Sequence, residues 1–242
     1  MRFSRVCGII ADIMIPLKQA ISSSVGKKLI TSITGLALVG FVITHLAGNL
    51  LLIEPTGHAF NAYAYKLETF GALLWAAEIG LIVFFLVHIV NGFRLKKNHL
   101  DARPIGYRTY ASKGGPTKQK LSSRSMIISG TVLMVFVVLH VWHFKFGPGI
   151  EAGYATQLEG HEVRDLHRFV VEAFSSVWIV ALYVGAVIFL GLHLKHGIWS
   201  GVQSLGALNS RTSPVVYTVG AILGVLLAIG FLFLPLYIHF RF

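Results

Sequence analysis

Residues 35–46 read GLALVGFVITHL, and residues 130–141 read GTVLMVFVVLHV. In both, a glycine opens the run, a phenylalanine (Phe41, Phe136) follows at the same offset, and a histidine (His45, His140) stands near the end. The histidine is the one titratable side chain in each stretch, and each lies inside a longer apolar window. Five such windows span residues 29–53, 71–95, 125–146, 169–195 and 214–239. A helix rises 1.5 Å per residue, so about 20 apolar residues cross a hydrocarbon core of about 30 Å. The composition agrees: 55% of residues are hydrophobic, 13% are charged, and the mean hydropathy is +0.70. A water-soluble domain would be about 25% charged. The expected fold is therefore an all-α integral membrane protein with five transmembrane helices. Four form a core and the fifth is added to it, giving one domain over residues 29–242 behind an N-terminal cytoplasmic or interfacial segment, 1–28.

The net charge of +11 invites a nucleic-acid reading, but the placement of the charges argues against it. Basic residues alternate by loop. Arg2, Arg5, Lys18, Lys27 and Lys28 precede the first window, and Arg94, Lys96, Lys97, Arg103, Arg108, Lys113, Lys118, Lys120 and Arg124 follow the second. Lys195 and Arg211 flank the fourth loop. The acids Glu54, Glu68, Glu151, Glu159, Glu162 and Asp165 fall in the first and third loops. Short cytoplasmic loops collect Lys and Arg, which predicts an N-terminus inside and a C-terminus outside. Cys7 is alone, so no disulfide framework or cysteine-ligated cluster forms within the chain. Asp12, Pro16 and Lys18 interrupt the first apolar run, which reads as an interfacial helix rather than a secretory leader.

A second pair of matching stretches accompanies the first. Residues 84–94 read FFLVHIVNGFR and residues 189–199 read FLGLHLKHGIW, each with Phe, His and Gly in register around His88 and His193. The core is thus two copies of a helix pair. A lone histidine inside a membrane is most often a hydrogen-bonding group between helices, but four at repeated positions point to ligation. Chain direction puts His45 and His140 toward the outer ends of their helices, and His88 and His193 toward the inner ends. Helix rise separates the two levels by roughly 10–20 Å. Two imidazoles at one depth on different helices can clamp one metal, and haem iron suits a bundle interior, so two b-type haems are expected. His45 and His140 would hold an outer haem and His88 and His193 an inner one. His143 and His196, three residues beyond His140 and His193, are alternative ligands on nearly the same faces. Gly48, Gly92 and Gly197 would let a flat macrocycle approach, and Arg94 and Lys97, with Lys96 and Lys195, would meet propionates. His58, His99, His161, His167 and His239 read as solvated loop or interface residues.

The elements HLAGN (45–49), HIVNGFR (88–94), HVW (140–142) and HLKHGIW (193–199) resemble the di-haem cytochrome b anchor of succinate dehydrogenase and fumarate reductase, over about residues 25–240. AFNAY (59–63) and LLWAAE (73–78) are similar to that family as well. The resemblance implies a subunit that holds no dicarboxylate site itself. It would dock a flavoprotein and an iron–sulfur protein on the cytoplasmic face of a bacterial inner membrane, and would pass electrons to a membrane quinone. It also implies a quinone site near the outer haem. Glu68 is then the candidate for proton exchange, His58, Asn61 and Tyr63 could line the site, and Glu78 could relay protons from within the second helix. One departure stands out. Some fumarate reductases of this type carry a glutamate two residues before the helix IV histidine, where this chain has Gly191. That tilts the expectation toward succinate oxidation.

Three rival readings start from the same residues. Another quinone-linked cytochrome b would share the paired histidines but copurify with different soluble subunits. A proton-coupled transporter would use the histidines as relays, and its helices would more often break at mid-membrane. A passive anchor would keep the histidines without haem. A reduced-minus-oxidised spectrum separates the last two from the first.

Overall fold

The computed structural model describes residues 16–102 and 125–242. Cys7, Arg2, Arg5 and most of the basic second loop (Arg103, Arg108, Lys113, Lys118, Lys120, Arg124) lie outside the described residues. A short helix α1 (Leu17–Ser22) leads into α2 (Ser24–Asn49), whose N-cap Ser23 accepts from the Gly26 N–H at 3.0 Å. The cap fixes the start of α2 about one turn ahead of the boundary expected at residue 29, because Ser23 satisfies one of the donors a helix leaves open. A 3₁₀ turn, Leu50–Ile53, extends α2. Then follow α3 (His58–Glu68), α4 (Ala72–Asp101), α5 (Met126–Phe144), a 3₁₀ turn at Ile150–Ala152, strands β1 (Ala155–Leu158) and β2 (His161–Arg164), α6 (Leu166–Phe174), α7 (Val177–Ser204) and α8 (Thr212–Arg241). Five of these segments, 19 to 30 residues long, are apolar enough to cross a membrane: α2 with its 3₁₀ turn, α4, α5, α7 and α8.

Their outward faces explain the composition. Trp75, Ile79, Ile82 and Leu86 run exposed along α4 at helical spacing, as do Ile128, Val135, Val138 and Trp142 along α5. In water such stripes would be costly, whereas in lipid they are ordinary surface. The chain is a multi-pass membrane protein. Its basic end holds the start of α2 and the end of α4, and its opposite end holds the β-hairpin.

Packing inside the bundle relies on small residues, as it must where lipid removes the hydrophobic drive between helices. A Cβ at Gly191 would stand 2.8 Å from the Ala228 Cβ, and one at Gly224 would stand 2.9 Å from the Lys195 backbone nitrogen. The fifth span, α8, is therefore pressed directly onto α7. A Cβ at Gly201 would meet Leu36 at 3.3 Å, and one at Gly230 would meet Leu46 at 2.6 Å, so α2 closes against both. Through these contacts α2 and α7 form the centre. α4 packs chiefly on α2, and α5 chiefly on α7.

At the hairpin end the chain builds a compact cap over the bundle. β1 and β2 pair antiparallel with Leu158 opposite His161, leaving Glu159 and Gly160 as a two-residue turn. Both have positive φ, 50° and 83°, the signature of a turn that matches the strand twist. Beneath it Leu52, Phe60, Val170, Phe174, Val180, Tyr183 and Ile238 form one buried cluster.

The fourth window is corrected here. The stretch expected as one span from residue 169 divides into α6, which ends at Phe174, and α7, which starts at Val177. In α6 the apolar residues Phe169, Val170, Ala173 and Phe174, with His167, share the buried side while Arg168 and Glu172 face out. It is an amphipathic surface helix, and Ser175 and Ser176 break it from the span. A hydropathy window averages over that break. The span then continues to Ser204, well past residue 195.

Candidate functional site

The repeat seen in sequence reappears as repeated geometry. His45 on α2 and His140 on α5 face each other toward the hairpin end, their ring centres 5.7 Å apart and their planes at 89°. Nearer the basic end His88 on α4 and His193 on α7 face each other at 6.3 Å and 67°. All four rings are half-buried. Phe41 stacks on His45 at 5.2 Å, and its counterpart Phe136 stacks on His140 at 5.6 Å. One turn of helix separates each phenylalanine from its histidine, so the two rings share a face.

The surroundings of the second pair are also duplicated. The residue before each matched glycine carries a hydroxyl. Thr34 Oγ1 lies 3.5 Å from His88 Nδ1, and Ser129 Oγ lies 3.1 Å from His193 Nδ1. The glycines themselves, Gly35 and Gly130, are where the rings come closest, for added Cβ atoms would meet His88 Cε1 at 2.9 Å and His193 Cε1 at 3.4 Å. His88 Nδ1 also donates to the Thr31 carbonyl at 3.1 Å. In the first pair, His140 Nδ1 lies 3.0 Å from the Tyr183 hydroxyl, and His45 makes ring contacts to Phe41, His140 and Phe231.

Two opposed imidazoles suit a metal whose remaining positions are filled by its own macrocycle. With metal–nitrogen bonds of about 2.0–2.1 Å and each ring centre about 1.1 Å behind its nitrogen, the centres would stand about 6.3 Å apart. The His88–His193 pair has that separation, and His45–His140 is slightly closer. At His88, His140 and His193 the Nδ1 atom is engaged by the protein, which leaves Nε2 as the nitrogen available to a metal. The residues present fit haem as an occupant.

His143 and His196 turn elsewhere. His143 packs on Phe144 at 4.6 Å and Phe169 at 5.6 Å, while His196 meets Trp199 at 6.0 Å. Arg94 and Lys97 stand exposed on α4 beyond His88, at the basic end. Gly92 and Gly197 look onto open space, but Gly48 does not. A Cβ at Gly48 would lie 2.5 Å from the Tyr63 ring, so this glycine admits Tyr63 of α3 rather than a macrocycle.

Two of the residues expected at or near a quinone, Asn61 and Glu78, are engaged within the protein. Asn61 is buried, donates to Asp165 Oδ1 at 2.8 Å and accepts from the His167 N–H at 2.9 Å. It ties α3 to α6. Glu68, at the end of α3, is exposed and borders a cavity of about 30 Å³ with Asn61, Tyr65, Val163 and Arg164, room for a water rather than a quinone ring. Glu78 is half-buried and forms an ion pair with Lys145, which also lies 5.2 Å from the centre of the Trp75 ring. His58 is exposed as expected, but His167 is buried and His239 Nδ1 donates to the Phe174 carbonyl at 2.8 Å. Both are structural parts of the cap. Gly191, the position that departs from the glutamate pattern, is filled by its close approach to Ala228.

Sequence reasoning overlooked Tyr183, Ser129, Thr34 and Lys145. Ser129 and Thr34 had a signal, since each precedes a matched glycine of the repeat. Tyr183 and Glu78 likewise stand at matching places, ten residues before His193 and His88, yet they differ in chemistry and in partner. Comparisons with protein-family models, curated proteins and solved structures returned no match.

Proposed function

We propose that this chain is the membrane anchor and di-haem electron conduit of a succinate:quinone oxidoreductase. It would link an iron–sulfur subunit, and through it a flavoprotein subunit, to a membrane quinone. The observation that carries the reading is the pair of facing imidazole couples, His45 with His140 and His88 with His193, each repeated with its own phenylalanine or hydroxyl neighbour. Bound b haems would supply one-electron transfer across the bilayer. The protein's part is to present Nε2 from each of four histidines, to hold the rings by their Nδ1 atoms and aromatic neighbours, and to exclude water with apolar helix faces. Arg94 and Lys97 would meet propionates at the basic end, and the charge there favours acidic docking partners. That end would face the cytoplasm of a bacterial inner membrane, with the C-terminus outside. Glu68 is the proposed acid for proton exchange with quinone, because it is exposed at the hairpin end beside a water-sized cavity.

A pyridine haemochrome assay with a reduced-minus-oxidised spectrum on the purified chain tests this reading. Two b haems per chain, both low-spin, are expected. A well-folded chain that stays colourless under adequate haem supply rejects it. Copurification then separates the choices among respiratory complexes: flavoprotein and iron–sulfur subunits active with succinate or fumarate support this one, and another set of partners rejects it.

A further inference from the structure

The groups behind the imidazoles differ between the two couples, and the difference can be read as chemistry. The Thr31 carbonyl only accepts, so His88 carries its proton on Nδ1. The Ser129 hydroxyl spends its own proton on the Met126 carbonyl at 3.2 Å, so its oxygen accepts from His193 Nδ1–H. Thr34 is committed in the same way, donating to the Ile30 carbonyl at 2.8 Å. At the basic-end couple, both tautomers are therefore fixed by groups with no free proton to offer. His140 is different. Its Nδ1 faces a phenol, Tyr183, which can give or accept a proton. Tyr183 is buried, wedged edge-on against Phe136 at 5.0 Å and Phe174 at 5.0 Å, so its ring cannot swing away.

We propose that Tyr183 is a positioning residue of the hairpin-end couple. It accepts from His140 Nδ1–H, thereby frees Nε2 for iron, and sets how much electron density that imidazole donates. The inference rests on the haem reading above and names the group that tunes one of its two centres. A ligand imidazole whose far N–H meets an acceptor is more basic, and a more basic ligand favours oxidised iron. Removing the acceptor therefore makes that centre easier to reduce. The position is asymmetric by construction: the first repeat has Glu78 at the matching place, and Lys145 holds it. His45 thus has no tyrosine counterpart among the described residues.

The test uses the assembled, haem-loaded protein in detergent and reads equilibrium redox titrations of the two b centres, resolved by their optical bands and low-spin paramagnetic signals. In Y183F both haems are expected to remain. At a fixed potential, the reduced-to-oxidised ratio of the hairpin-end centre is expected to rise about threefold or more, about 28 mV for a one-electron couple. The other centre should not move. S129A should give the reverse pattern, shifting only the centre held by His88 and His193. Y183M serves if Y183F does not accumulate. Loaded variants with both centres at their parental potentials, or with both shifted alike in Y183F, would overturn the proposal. A parent chain that takes up no haem overturns the haem reading, and with it this one; shifts that miss their target in a chain carrying two haems overturn this one alone.

Discussion

His140 and His143 lie one helical turn apart on α5, yet one faces His45 and the other faces Phe144 and Phe169. That single difference is measurable. H140A should lose one haem of the two, whereas H143A should keep both, as counted by pyridine haemochrome against protein; H193A and H196A should behave in the same way. Retention of both haems in H140A with loss in H143A would reverse the ligand assignment. The repeat made the choice legible in sequence, because Gly48 stands where a counterpart of His143 would be. Less legible were the groups behind the rings. A hydroxyl before a glycine is unremarkable in an apolar helix until a facing imidazole gives it a partner, as Ser129 gains one in His193. Gly48 misled for the same reason, since nothing local to it reveals that Tyr63, from another helix, fills the space.

Among single charges, Glu54 offers a prediction in pH. The Thr56 side chain and N–H, with the Ala59 N–H, hold its carboxyl below the usual glutamate range, and the carboxylate caps the start of α3. Because the folded value is depressed, this contribution is fully present above the ordinary glutamate pKa. It is lost as pH falls through the lowered one. Protection of the Thr56 and Ala59 amides, relative to their intrinsic exchange at each pH, should therefore fall at the acid side in the parent chain, and E54Q should show the lower protection at neutral pH already. Unchanged protection in E54Q would remove Glu54 from the cap.

At the scale of elements, the seams between helices are more informative than the helices themselves. Five apolar windows announce five spans because a bilayer tolerates little else. What windows cannot show is contact. The α7–α8 seam depends on Gly191, Gly220 and Gly224, and Gly224 faces the backbone of Lys195 rather than a flexible side chain. G224L must push the helices apart and should cost about 1–3 kcal/mol, visible as a lowered melting temperature in detergent. Wild-type stability in G224L would mean that α8 packs less closely than described. Asn61 makes a comparable link between α3 and α6. N61A would leave the His167 N–H without its acceptor, at about 1–3 kcal/mol, and would loosen α6 in hydrogen exchange. The apolar face of α6 makes its sequence resemble part of a span, but that face is satisfied by the cap and not by lipid.

On the scale of the molecule, α2 and α7 form the contact between two helix pairs, and α4 and α5 are attached mainly to their own partners. Each pair therefore holds most of its packing within a continuous piece of chain, the first ending at Ala102 and the second starting at Ser125. A gene split between those residues, its halves expressed side by side, should still give a functional assembly, because reunion asks that α2 find α7 and α8 and that α3 settle on α6. Haem would be a bridge in that reunion, each iron taking one histidine from either fragment. Omitting haem synthesis should then cut recovery of the split protein far more than that of the unbroken one.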